Sequence, residues 1–103
     1  MRLFLVKDGE RLVWVAALAH EHLYSYVGNT GFFHDNNALR NDYYMDFDFE
    51  YEEIDITRAK ALIAAGVGQL DESVRADALA MWRSDPRPMT PGDVFAAVAG
   101  TTP

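Results

Sequence analysis

Three histidines in the first third of the chain carry side chains that bind metals or transfer protons. His20 and His22 are two residues apart, and His34 follows after a turn-rich segment. Residues two apart on a β-strand point to the same face, so His20 and His22 would offer two imidazoles to one ligand. With His34 as a third ligand, one alternative is a zinc, manganese or iron site. A turn at His20 and Glu21 would separate the imidazoles, and no cysteine or H-E-x-x-H spacing supports the site, so our main interpretation includes no metal and no cofactor.

A second alternative is catalysis without metal in the segment that contains His34. His34 has the side chain of a general acid or base, Asp35 is its neighbour, and Arg40 would stabilise a developing anion. A small hydrolase or nuclease, with or without metal, is therefore the competing class of function. A nuclease would also have to hold a polyanion beside the strongly acidic segment that follows, and like charge opposes that.

The acidic segment, Asp42–Asp55, holds the entire net charge of −7. It contains seven carboxylates, five aromatic residues and no Lys or Arg, whereas the rest of the chain has nine acids and nine bases. Such concentrated charge speeds and orients encounter with a surface of opposite sign. The segment therefore predicts a binding surface for a basic protein.

Within this segment, acids and aromatic residues alternate strictly from Asp46 to Glu52. This period of two is typical of a half-buried strand, with Phe47, Phe49 and Tyr51 facing a core and the carboxylates facing outward. Neighbouring carboxylates on that face, roughly 6.5–7 Å apart, would repel by only about 0.6 kcal/mol per pair in water, so an ordinary solvated strand face is an equal alternative. The predicted partner-binding residues are the outward carboxylates and two tyrosine anchors: Asp46, Asp48, Glu50, Glu52, Tyr43 and Tyr44.

Overall composition limits the remaining choices. The chain has 103 residues and no cysteine, which indicates a single domain spanning residues 1–103 without disulfides or thiolate metal sites. Its acidic balance opposes direct nucleic-acid binding and membrane binding, because both need a basic surface, so neither is expected. No signal peptide is visible, so we expect a cytoplasmic protein. The sequence is also compatible with a homo-oligomer. An antitoxin, an immunity protein or an inhibitor of a basic partner fits these features.

Strand patterns precede helix patterns, which predicts the α+β class. We expect an antiparallel meander of about four strands at residues 2–7, 11–18, 22–27 and 46–54, with a bulge or the strand's end near Glu52 and Glu53. C-terminal helices at 57–65, 73–83 and 91–99 would cover one face, the first capped by Thr57. Residues 16–22 fit either a strand followed by a turn or a helix, and residues 28–45 predict an irregular segment with one helical turn at 36–42 capped by Asp35.

Overall fold

The computed structural model of the chain describes residues 1–100, and these form an antiparallel sheet packed against helices. The predicted α+β class is confirmed, with N-terminal strands against C-terminal helices. The sheet order is β4-β3-β2-β1-β5. The strands are β1 (Arg2–Asp8), β2 (Arg11–Ala19), β3 (His22–Val27), β4 (Phe32–Asp35) and β5 (Glu50–Ile54), and the helices are α1 (Asn37–Asn41), α2 (Ile56–Ala64), α3 (Ala76–Arg83) and α4 (Pro91–Gly100), with a π-helical turn (Asp42–Asp46) directly after α1.

Tight turns set the first two hairpins. Gly9 connects β1 to β2 with a φ of 62°, a left-handed conformation that glycine adopts without strain. His20 and Glu21 connect β2 to β3, with φ values of 50° and 68°, as a two-residue hairpin turn requires at both positions. Residues 16–22 are therefore strand and turn, not helix.

The sheet has five strands, one more than expected, because β4 lies in the segment predicted to be irregular. Its residues pair with β3, from Tyr24 opposite Asp35 to Val27 opposite Phe32. On its other side, Phe33 forms a backbone bridge with Met89, so the loop before α4 covers this edge of the sheet. A four-residue strand among Asn, Asp and Gly leaves too short a periodic pattern to detect.

The acidic strand is shorter than predicted and lies at the opposite edge of the sheet, beside β1. β5 pairs with β1 from Leu3 opposite Ile54 to Lys7 opposite Glu50, without the bulge expected at Glu52 and Glu53. The strand does not begin at residue 46, because the next positions toward the N-terminus would have to pair with the turn at Gly9. The predicted strand over residues 46–49 is therefore wrong.

Helices pack on both faces of the sheet rather than on one. α2 and α4 cover the face that carries Leu3 and Leu5, and α1 and α3 cover the face that carries Val6. The first buried cluster contains Leu3, Leu5, Val15, Ala17, Phe33, Ala59, Leu62 and Val94. The second contains Val6, Trp14, Ala16, Leu23, Val27, Leu39, Leu79 and Trp82.

Side-chain caps determine where several helices begin. Asp55, not Thr57, caps α2, because its carboxylate accepts a hydrogen bond from Arg58 N at 2.8 Å. Likewise Asn36, not Asp35, caps α1 through Leu39 N. The longest helix in residues 1–100 has ten residues, about half the length that a bilayer-spanning helix needs, and none meets the requirement for crossing a membrane.

Candidate functional site

The first half of the acidic segment forms a turn between α1 and β5. The π-helical turn ends at Asp46, and Phe47 adopts the left-handed conformation with a φ of 55° and donates its backbone N–H to Asp42 O at 2.8 Å. Two large apolar side chains project from this turn, with Met45 74% exposed and Phe47 70% exposed. We call residues 45–48 the acidic turn.

A single buried carboxylate holds the acidic turn in place. Asp42 is only 6% exposed. One of its oxygens accepts from Asp48 N at 2.9 Å, and the other accepts from Phe49 N at 3.2 Å and from the Tyr51 hydroxyl at 2.7 Å. These bonds satisfy backbone groups that would otherwise need a sheet partner, so they favour a turn over a strand at this point.

Aromatic rings support the turn from beneath. Tyr43 packs edge-on against Tyr51, with ring centroids 4.9 Å apart, and lies 5.9 Å from the Phe4 ring. Burial, followed by the hydrogen bond to Asp42, raises the pKa of the Tyr51 hydroxyl far above its usual value of 10.0. Tyr51 therefore stays protonated and keeps donating to Asp42 throughout the neutral range.

The carboxylates of the acidic segment differ in their availability. Asp46 and Asp48 are exposed, and within residues 1–100 neither has a Lys or Arg nitrogen within 4.0 Å. Glu50 and Glu52 share Lys7 Nζ, each at 4.0 Å. The other three carboxylates are occupied: Asp42 beneath the turn, Asp55 at the helix cap and Glu53 with Arg2 at 3.0 Å, a contact that lowers the pKa of Glu53.

The two predicted tyrosine anchors differ in how far they are exposed. Tyr43 is largely occupied by packing, whereas Tyr44 is 43% exposed beside Met45. Phe47, which the alternation placed in the core, is instead the main exposed ring. The sequence contained no signal that distinguished Phe47 from Phe49 or Asp42 from the other acids, because both distinctions depend on where the β1–β5 ladder ends.

The three histidines are not brought together. His20 is exposed in the hairpin turn, and His34 is buried on the face of the sheet that packs against α3. His22 Nδ1 lies 3.4 Å from Asp35 Oδ2, without the geometry of a hydrogen bond. No group of three His, Cys, Asp or Glu side chains within residues 1–100 is arranged to hold a metal ion.

His34 forms a hydrogen-bonded cluster with Thr30, four residues before it, and with Asp85, 51 residues after it. Its Nδ1 is 2.8 Å from Asp85 Oδ2, and its Nε2 is 2.7 Å from Thr30 Oγ1. The ring is 1% exposed and stacks on Trp82, with centroids 6.1 Å apart. Burial opposes ionisation of Asp85, but Arg87 N and His34 outweigh it, so the pKa of Asp85 falls below 3.8.

The predicted catalytic set of His34, Asp35 and Arg40 is not assembled. Asp35 faces His22, and Arg40 Nε donates to the Glu21 carbonyl oxygen at 2.8 Å.

The Asp85–His34–Thr30 order instead resembles the acid–base–nucleophile order of hydrolases, and these residues line a cavity of about 230 Å³. The Thr30 hydroxyl donates to the Val27 carbonyl oxygen at 3.1 Å and accepts from Phe32 N at 3.2 Å, which ties it into the β3–β4 turn. Its one proton serves either Val27 or His34 at a given time.

Two features of the structure thus have the composition of a functional site. The acidic turn presents an exposed aromatic ring between two exposed carboxylates, and the His34 cluster is a buried chain of hydrogen bonds. The chain matches no protein-family model, no curated protein and no solved structure.

Proposed function

We propose that this protein binds a basic partner protein through the acidic turn, as an inhibitor, immunity protein or antitoxin would. The observation that carries the proposal is the exposed Phe47 ring, which stands between the unpaired carboxylates of Asp46 and Asp48. An aromatic anchor surrounded by charges is the composition of an interface hot spot.

The frame beneath the turn favours binding in a second way. Asp42 already fixes the backbone of residues 48 and 49, and Tyr43 and Tyr51 fill the space below. An interface segment that is ordered before binding loses less conformational entropy when the complex forms. The acidic turn is therefore preorganised.

The exposed side chains of the acidic turn indicate which residues a partner's surface must contain. Phe47 and Met45 require an apolar pocket, and Asp46 and Asp48 require Lys or Arg at the rim of that pocket. Glu50 and Glu52 continue the negative surface along β5, where Lys7 only partly balances them. A basic active-site cleft or a nucleic-acid-binding surface on another protein has this composition.

Binding can be tested by affinity capture from an extract of the source cells, followed by measurement of the identified complex. We expect Phe47→Ala to weaken the affinity at least about thirtyfold, the effect of losing a hot spot worth about 2 kcal/mol. The matched control is Phe32→Ala, because Phe32 is an exposed ring on β4 at the other edge of the sheet.

Charge steering predicts a separate kinetic effect. Asp46→Asn with Asp48→Asn should slow association and flatten its dependence on salt, whereas Asp77→Asn with Asp93→Asn removes the same charge from α3 and α4 and should change neither. If the two double variants bound the partner with equal affinity and equal salt dependence, the interface would lie elsewhere.

The His34 cluster supports a second candidate, hydrolysis with Thr30 as nucleophile and His34 as base. The supporting observation is the pair of short contacts at 2.7 Å and 2.8 Å beside a cavity. Turnover of small activated esters that disappears in Thr30→Val and falls steeply in Asp85→Asn would support it. Ester turnover equal to that of buffer would reject it, and Phe32→Ala would report the effect of changing the cavity wall alone.

A further inference from the structure

A second concave surface lies beside the acidic turn and has the opposite character. It is a groove of about 450 Å³ between β2, α1 and α3. The Trp14 and Trp82 rings meet edge-on near it, with centroids 5.8 Å apart, and Met81 is 59% exposed at α3. The residues lining the groove are Arg11, Val13, Trp14, Asp35, Asn36, Asn37, Ala38, Leu39, Phe49, Arg75, Ala78, Met81 and Trp82.

The charged residues of this groove are two arginines and one carboxylate, Asp35, which lies 3.4 Å from His22 Nδ1. Arg11 and Arg75 also line a neighbouring cavity of about 240 Å³, so both lie where the two cavities adjoin. In the described part of the chain, Arg75 has no carboxylate within 4.0 Å. Arg11 contacts Asp8 at 3.3 Å, but both side chains are more than half exposed, so solvent screens that pair and a new partner can displace it.

We propose that the groove binds the acidic turn of a second copy of this chain. An apolar surface with a cationic rim is the complement of an exposed Phe47 between two carboxylates. Within one chain Phe47 is 70% exposed, so it does not fill its own groove. Since the chemistry of the acidic turn complements the lining of the groove, the occupant is this segment of another molecule.

The arrangement of the two surfaces favours a twofold dimer. The acidic turn leaves the fold between Leu39 and Phe49, and both of these residues line the groove. The projecting turn and the groove thus lie side by side on one face of the molecule. A twofold axis then brings each turn to the partner's groove and makes every contact twice, which closes the assembly at two chains.

Self-association is independent of the proposed function but uses the same acidic turn. A basic partner protein and a second copy would compete for Phe47 and its flanking carboxylates. The dimer is then a resting form, from which the partner releases monomers at high partner concentration.

Charge reversal tests the dimer by sedimentation velocity at low salt. Wild type should sediment as a concentration-dependent dimer. Asp46→Arg with Asp48→Arg should be monomeric, and so should Arg11→Glu with Arg75→Glu, because each variant sets like charges against each other at both contacts. Far-ultraviolet circular dichroism confirms that both variants are folded.

Mixing the two variants is the decisive measurement. Each turn then meets a groove of opposite charge, so an equimolar mixture should restore the dimer. Arg58→Glu with Lys60→Glu, which makes the same total charge change on α2 at the other face of the sheet, should leave the dimer intact. A wild-type monomer at all concentrations, a mixture that stays monomeric, or an open-ended series of larger species would each overturn the twofold dimer.

A monomeric wild type that still captures a basic partner would reject this inference and leave the proposed function standing. If wild type is a dimer but Phe47→Ala still binds that partner, the proposed function is rejected and this inference stands.

Discussion

Replacing the buried carboxylate of Asp42 by an amide should weaken the fold and release the acidic turn. Asp42→Asn keeps the size of the side chain but leaves one acceptor oxygen where two oxygens now serve three donors. Whichever way the amide points, its NH₂ group faces a donor, either Asp48 N or Phe49 N. At least one backbone N–H therefore loses its acceptor, and the remaining bonds lose their charge assistance.

The size of the effect follows from these three bonds. Two bonds that change from charged to neutral lose about 1 kcal/mol each, and one unmatched N–H that water partly reaches costs about 1 kcal/mol more. The expected loss is thus about 3 kcal/mol, out of a total stability of roughly 5–15 kcal/mol for a domain. With an m-value of roughly 1.5 kcal/mol/M, the urea midpoint should fall by about 2 M.

Urea unfolding at neutral pH, followed by circular dichroism, measures this shift. The control is Asp46→Asn, which removes the same charge from an exposed side chain that has no hydrogen-bond partner within residues 1–100. It should change stability by less than about 0.5 kcal/mol. Tyr51→Phe combined with Asp42→Asn should cost less than the sum of the two single changes, because they share one bond. Equal midpoints for Asp42→Asn and Asp46→Asn would refute the assignment of Asp42 as the residue that holds the turn.

Three further predictions concern a glycine, a tyrosine and the His34 cluster. Gly68→Ala should destabilise the protein by more than about 2 kcal/mol, because a Cβ there would overlap a backbone carbonyl of β3. The control Gly66→Ala has a similar φ but open space around the Cβ and should cost only about 1 kcal/mol. Comparable urea midpoints for the two variants would contradict this prediction. The raised pKa of Tyr51 contributes stability below pH 10 that is lost as pH rises above 10, where the unfolded tyrosine ionises, so Tyr51→Phe should show a weaker alkaline decline than wild type in thermal melts. The lowered pKa of Asp85 contributes stability above about pH 4 that is lost as pH falls further. Asp85→Asn and His34→Gln should therefore both reduce the fall in melting temperature at acid pH. If neither variant changed that fall, the His34–Asp85 contact would be contradicted.

Features encoded by adjacent residues were readable from the sequence. β3 was predicted with the observed bounds, and the hairpin turn at His20 and Glu21 follows from the apolar runs on either side. The predicted helix at 91–99 corresponds to α4, and its start is stabilised locally, since the Thr90 hydroxyl accepts from Asp93 N at 3.0 Å. Such features depend on hydrogen bonds and turns within a few residues, which a local pattern records.

Features that require a distant partner were misread. The alternation from Asp46 to Glu52 is a strand pattern, but a strand forms only where another strand is available, and the partner of β5 turns away after Lys7. The hydrogen bonds that Asp42 accepts then stabilise a turn in which Phe47 faces solvent. The short β4 was missed for a related reason, since its pairing with β3 and Met89 gives it its order.

The sequence by itself determined that the negative charge is concentrated in one segment and that strands precede helices. Tertiary structure alone decided which carboxylates of that segment are free, which ring projects, and that His34 meets Asp85, a residue 51 positions away. Composition and period are properties of neighbouring residues, whereas the availability of a side chain depends on which hydrogen-bond donors the folded chain brings to it.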